Sequence, residues 1–252
     1  MTAEIRMERM TSPEIGAAIE AGVTTVVVAA GAVEQHGPHL PLFVDAEHGD
    51  RLAVEIARRL GGALVAPTIR VGWSAHHMAF PGTVSLEKAT FLAVCRDYAV
   101  SLAHHGFRRV CFVPSHGGNF APLAEARDAF NEAAGPDCSV DVYADLGEVI
   151  GVWRGVAEAE AGLGGRVGGH ADIAETSIMM AMHDGIVREE LAECGRLTTP
   201  EEEPELIRRV LSEGFASVTP NGILGDARGA SAELGEKMIA ALADRMAAHF
   251  GA

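Results

Sequence analysis

The sequence predicts an α/β protein: a single layered α/β/α domain with a mostly parallel sheet, spanning residues 1–252. Three observations predict it. Short β-branched runs are apolar from end to end, as strands buried on both faces require. Between them lie segments whose apolar residues recur every three to four positions, the helical period. No repeat, low-complexity tract or Ser/Pro linker divides the chain, and 252 residues fit one α/β domain.

In chain order, residues 24–30 (TTVVVAA) form the first strand and stop at Gly31. Residues 46–60 carry Leu52, Ile56 and Leu60 four apart, a helical stripe closed by Gly61 and Gly62. Residues 63–71 are a second strand leading to Gly72 and Trp73. Ser85 is expected to cap a helix that runs to His105 and halts at Gly106, with Leu92, Cys95, Ala99 and Leu102 inward. Residues 109–113 are a third strand, 120–134 a helix, 139–143 a fourth strand, and 171–183 and 230–250 two more helices. An acidic run at 201–203 marks a helix start between Pro200 and Pro204. In open sheets of this kind ligands bind beyond the carboxyl ends of the strands. The loops at 31–45, 72–83 and 115–119 should therefore meet at one rim.

Charge and composition exclude several functions. The chain has 35 acidic and 20 basic residues, a formal charge of −15, and no basic stripe, so nucleic acid is a poor partner. It is 48% hydrophobic with 29 glycines, which suits a compact enzyme with tight loops. The four cysteines form no C-x-x-C pair and fit a reducing compartment. The charged N-terminus lacks a signal-peptide core, and no apolar run approaches the roughly 18 residues of a membrane span. A cytoplasmic protein with no membrane partner is the expectation.

Chemistry-bearing residues concentrate in the predicted rim loops. In Glu34-Gln35-His36-Gly37-Pro38-His39, Glu34 and His36 are two apart and point the same way in extended chain, while Gly37, Pro38 and Pro41 forbid a helix. The turn can bring Asp45 back to the pair, a carboxylate–imidazole–carboxylate set suited to Zn²⁺ or Mn²⁺. Asp45 can equally cap the following helix, or do both. His116 emerges at the end of the third strand in His116-Gly117-Gly118-Asn119, a fourth ligand candidate. Glu175 lies in the first turn of a helix, where an acid also suits the helix dipole, and His170 precedes it by five.

Together, Glu34-x-His36-Gly37-x-His39-Leu40-Pro41, Asp45, His116-Gly117-Gly118-Asn119 and His170-Ala171-x-x-x-Glu175-Thr176-Ser177 resemble the creatininase (creatinine amidohydrolase) family. The stretches at 72–83 and 222–226 match it too. The resemblance implies a creatininase-like layered fold, a homohexamer and two divalent ions per chain, zinc with manganese or iron. Glu34, Asp45 and His116 would hold one ion and His36, Asp45 and Glu175 the other, with Asp45 bridging. The ions would activate a water against an amide carbonyl, and His170 would deliver a proton to the leaving nitrogen. His170 and Glu175 are thus the expected catalytic residues. The expected reaction is hydrolysis of a C–N bond in a small cyclic amide or formamide-like substrate, not a peptide bond. The alternatives are peptide trimming in maturation of a peptide-derived redox cofactor, deformylation of a pyrimidine nucleotide, and a catalytically silent metal-binding scaffold. This chain departs from creatininase itself, which has a Glu after its strand-end His, where this chain has Gly117-Gly118-Asn119; creatinine is therefore a doubtful substrate.

His76, His77, Asn119 and Trp153 are the expected substrate contacts, with loop packing or a surface position as the plain reading for His76, His77 and Trp153. His39 is expected to order its loop and His48 to be exposed. His104, His105, His183 and His249 sit at helix C-termini and take no role.

Overall fold

The computed structural model describes residues 4–199 and 201–252; the first three residues of the charged N-terminus, and Pro200 beside the acidic run, lie outside the described residues. The elements run α1 (Ser12–Glu20), β1 (Thr25–Ala30), α2 (Val44–Leu60), β2 (Ala63–Val65), α3 (Lys88–His104), β3 (Arg109–Pro114), α4 (Gly117–Ala134) and β4 (Ser139–Val142). There follow α5 (Leu146–Ala161), β5 (Val167–His170), α6 (Ile173–Met182), α7 (Glu203–Glu213), β6 (Leu224–Gly225) and α8 (Ala232–His249).

Four strands form a parallel sheet in the order β2-β1-β3-β4, with Thr25 opposite both Ala63 and Arg109, and Arg109 opposite Ser139. Alternation along each strand feeds two cores. Val27, Ala29, Cys111 and Val113 face α2, α5, α6 and α8. Val26, Val28, Val110 and Phe112 face α3 and α4, with α1 at the edge. Both faces are covered, which is why the strands read as unbroken apolar runs. This is the α/β fold with a mostly parallel sheet that the sequence predicts.

Some local expectations need correction. The second strand stops at Val65, because Pro67 lacks the N–H a ladder needs; Ile69 rejoins β1 by a single bridge to Ala30. Ser85 does not cap α3, which starts at Lys88: its hydroxyl instead accepts the Ser74 N–H at 2.8 Å. Helix α5 is absent from the sequence reading, as are α1 and the antiparallel β5–β6 pair that stands apart from the main sheet. His48 is buried, not exposed, because it follows Asp45 by three residues on the inward face of α2. Trp153 is likewise buried, on α5, where its ring meets that of His48. Among the described residues, no helix is long and apolar enough to cross a membrane.

Candidate metal centre

Three loops at the carboxyl edge of the sheet carry the site. The loop after β1 is closed by the Glu34 N–H donating to Leu42 O at 2.9 Å, which leaves Glu34 and His36 fully buried. Asp45 sits in the first turn of α2 and is not its cap, a position held by Phe43. It can come so close because a Cβ on Gly31 would stand 2.7 Å from the Ala46 Cα. His116 lies two residues beyond the end of β3 and is the N-cap residue of α4.

His170 and Glu175 are presented by the β5–α6 turn, and Asp172 builds that turn. One Asp172 oxygen accepts the Gly168 and Gly169 N–H groups at 2.7 and 2.8 Å; the other accepts Ala174 N–H at 2.8 Å, capping α6. Ala171 adopts φ 52°, a left-handed conformation unusual for a residue with a Cβ, and its N–H donates to Glu175 Oε2.

The side chains converge at spacings that hydrogen bonds do not explain. His36 Nε2 lies 3.4 Å from Asp45 Oδ1 and 3.6 Å from Glu175 Oε2. His116 Nδ1 lies 3.2 Å from Glu34 Oε1 and 3.5 Å from Asp45 Oδ2. Charge-assisted N–H···O bonds run about 2.7–2.9 Å, whereas two ligands each about 2.1 Å from a tetrahedral ion stand roughly 3.4 Å apart. Asp45 turns one oxygen to each histidine, as a bridging carboxylate does. Both Glu34 oxygens, Asp45 Oδ2 and His36 Nε2 are buried without a hydrogen-bond partner.

The outward nitrogens agree. His36 Nδ1 meets Glu34 O at 3.1 Å and His116 Nε2 meets Trp73 O at 3.1 Å, so each N–H is donated to a backbone carbonyl. That leaves a lone pair on each inward nitrogen, the arrangement metal-binding imidazoles adopt. The donor set therefore fits divalent ions.

Electrostatics point the same way. Burial alone would lower the His116 imidazole, but Glu34 and Asp45 outweigh it and hold its pKa up, to about 10. His36 is raised well above its ordinary value by Asp45 and Glu175, again against burial. The cluster of carboxylates favours positive charge, whether protons or metal. His77 and His170 are pushed well below theirs by burial and by neighbouring imidazoles, so both are neutral at neutral pH.

A cleft of about 90 Å³ opens onto these groups, with His76, His77 and His170 on its polar side. Its apolar lining includes Ile207, Val210 and Leu211 of α7, with Phe215 against the His77 and His170 rings. Among the described residues lining it there is no lysine or arginine. Asn119 does not face the cleft: fully buried, it donates to Ala30 O and Gly31 O at 3.1 and 3.0 Å and accepts Trp73 N–H at 3.2 Å, tying three loops together. Trp153 lies behind Glu175, on the far side from the cleft wall of α7. His39 donates or accepts at Thr176 Oγ1, 2.8 Å away, and so orders its loop. Two functional positions escape the sequence reading, Asp172 and Gln35. An Asp three residues before Glu175 at a helix start was a readable cap signal; Gln35 gave none.

The sequence matches the family model described as creatininase, creatinine amidohydrolase, over residues 8–250. It is similar to the mycofactocin precursor peptide peptidase of Mycolicibacterium smegmatis, 35% identical over 228 residues that cover 86% of this chain and 81% of that protein. It is 29% identical over 205 residues to the creatinine amidohydrolase of Pseudomonas putida, covering 74% of this chain and 75% of that one. The crystal structure of a creatinine amidohydrolase superposes with a TM-score of 0.77 at 26% identity, covering all of both chains. Solved creatininases include zinc–zinc and manganese forms.

Proposed function

The chain belongs to the creatininase family of hydrolases, and on that premise we propose that it is a metal-dependent hydrolase of a C–N amide bond in a peptide-derived substrate. The observation that carries the reading is the set of buried, unpartnered carboxylate and imidazole atoms spaced 3.2–3.6 Å apart. Glu34, Asp45 and His116 would hold one divalent ion, and His36, Asp45 and Glu175 a second; zinc with manganese or iron is the proposed pair. Ions so held would polarise an amide carbonyl and would make water acidic enough to attack near neutral pH.

The chain's own residues supply the rest. His170 is neutral, and its Nδ1 lies 3.8 Å from Glu34 Oε1 and 4.0 Å from Glu175 Oε2, facing the cleft. A neutral imidazole there accepts the proton that water releases and returns it to the departing nitrogen. Burial of the whole cluster excludes bulk water and keeps these charges strong.

Two observations favour a peptide amide. The apolar lining supplied by α7 and Phe215 suits a side chain flanking the scissile bond better than a small planar polar ring. The 35% identical relative is, by name, a precursor peptide peptidase. A small cyclic amide is the second reading, favoured by the creatinine amidohydrolase relative. A nucleotide substrate is disfavoured, since no lysine or arginine is among the described lining residues to meet a phosphate. A silent scaffold is disfavoured because every ligand and proton-transfer position keeps a competent side chain. A homohexameric assembly and a cytoplasmic location belong to the same proposal.

Elemental analysis beside an amide-hydrolysis screen of short peptides, creatinine and formamides tests it. Two transition-metal ions per chain with peptide cleavage support the reading. Cleavage of creatinine alone moves it to the second reading, and a metal-free, inactive protein overturns both.

A further inference from the structure

Gln35 stands between two histidines, His77 and His170, whose ring centroids are 4.8 Å apart. Its side chain is 5% exposed. The amide orientation is set by the Gly37 N–H, which donates to Gln35 Oε1 at 3.0 Å. Nε2 must therefore be the donor end, with two hydrogens to place. Its neighbours are His77 Nδ1 at 3.0 Å, His170 Nε2 at 3.0 Å and Gly222 O at 3.2 Å.

The count closes in one way. His170 Nε2 also meets the backbone carbonyl of Gln35 at 2.9 Å, an oxygen that can only accept. His170 Nε2 thus carries the hydrogen and donates to it, and cannot also accept from the amide. The two amide hydrogens then go to His77 Nδ1 and Gly222 O. The Gly222 carbonyl is kept within reach because its loop packs on Gln35: a Cβ at Gly222 (φ 77°) would fall 2.0 Å from Gln35 Oε1.

We propose that Gln35 is a positioning residue that fixes the tautomers of both histidines, that of His77 through its side-chain amide and that of His170 through its backbone carbonyl. With Nδ1 occupied by the Gln35 amide, His77 carries its hydrogen on Nε2, 3.3 Å from Glu34 Oε1, a contact longer than a charge-assisted hydrogen bond. His170, with its hydrogen on Nε2, turns the Nδ1 lone pair to the cleft. One residue does both, through its side chain on one side and its backbone carbonyl on the other. The inference rests on the proposed metal-dependent reading of this site.

The test is Gln35→Glu, with Gln35→Leu beside it, read by imidazole ¹⁵N chemical shifts and by zinc dissociation against a competing chelator. Glutamate has the same size and still accepts the Gly37 N–H, but offers His77 an acceptor where glutamine offered a donor. In the wild type both His77 and His170 should show hydrogen on Nε2. Gln35→Glu should move the His77 hydrogen to Nδ1 and leave His170, held by the backbone, unchanged; Gln35→Leu should leave His77 averaging between its two forms. Both variants should lose zinc affinity or kcat by roughly 10- to 100-fold, with KM little changed. Should Gln35→Leu fail to fold, Gln35→Met is read in the same way. A His77 that carries its hydrogen on Nδ1 in the wild type, or that keeps it on Nε2 in Gln35→Glu with full zinc affinity, overturns the proposal. The ¹⁵N measurement needs no turnover, so a wild type inert toward amides would sink the proposed reaction and leave the tautomer result to be judged by itself.

Discussion

Phe215 lies against His77 with ring centroids 4.3 Å apart and planes 29° from parallel, and the same ring meets His170 at 4.6 Å. One apolar side chain thus backs both neutral imidazoles and forms part of the cleft wall. It keeps water from those rings, which helps hold them uncharged. Aromatic pairs of this kind contribute about 0.5–1.5 kcal/mol beyond their buried area. Phe215→Ala should therefore lower kcat/KM by about tenfold, with a smaller effect on metal content, and steady-state kinetics beside elemental analysis checks both.

His36→Ala should abolish turnover and reduce bound metal from two ions per chain towards one. The inward His36 nitrogen is the imidazole that Asp45 and Glu175 share. Unchanged activity would remove the metal assignment.

His170→Ala should keep both ions and lose a factor of about 10²–10⁴ in kcat, the usual worth of a positioned acid–base group. Metal content is the discriminating measurement. A variant that loses metal would make His170 a ligand and move the proton-transfer role elsewhere.

Asp172→Ala should act at a distance. Asp172 caps α6 and holds the turn that presents Glu175 and His170. Loss of the cap should cost roughly 1–2 kcal/mol of stability. Misplacing Glu175 should also weaken metal binding by about 10- to 100-fold. Thermal melting and chelator competition separate the two effects.

The pH dependence should reverse on metal loading. Without metal, the His116 pKa rises from its ordinary 6.5 to about 10. A raised pKa gives stability that is complete below the unfolded value and is lost as pH climbs through the folded one. Asp172, lifted from 3.8 to about 6 by burial, works in the same direction at lower pH. Chelator-treated protein should therefore melt several degrees lower at pH 9 than at pH 6, a shift of roughly 2–4 °C for each kcal/mol lost. Metal binding needs the neutral imidazole and releases its proton, so metal affinity should rise over the same interval. Melting curves at both pH values, with and without zinc, test the reversal.

Much of the fold was legible because its strands are buried on both faces and spell that out in valine and alanine. Residues 24–30 and 109–113 foretell β1 and β3 within a residue. Helix α5 was not legible because Gly147, Gly151 and Gly155 punctuate it; Gly151 and Gly155 face open space, where missing side chains cost packing nothing. Trp153, read without that helix, could be placed only as a loop residue. The candidate ligands could be picked out by side-chain type and spacing. The roles of their supports could not, because these depend on contacts far apart in sequence. Gln35 meets partners 42, 135 and 187 residues away. Asn119 shows the converse error: a polar residue in the right loop whose hydrogen bonds are all spent on holding backbone.

Asp45 belongs to both donor sets, yet the other members come from different stretches of chain. Glu34 and His116 follow β1 and β3, in the first half of the sequence, whereas Glu175 waits for α6. A ribosome releases the chain from its N-terminus. The first donor set has thus left the ribosome once His116 has, while its neighbour is still a histidine and an aspartate lacking their third member. The first donor set is therefore complete in the chain by residue 116, while the second waits for Glu175.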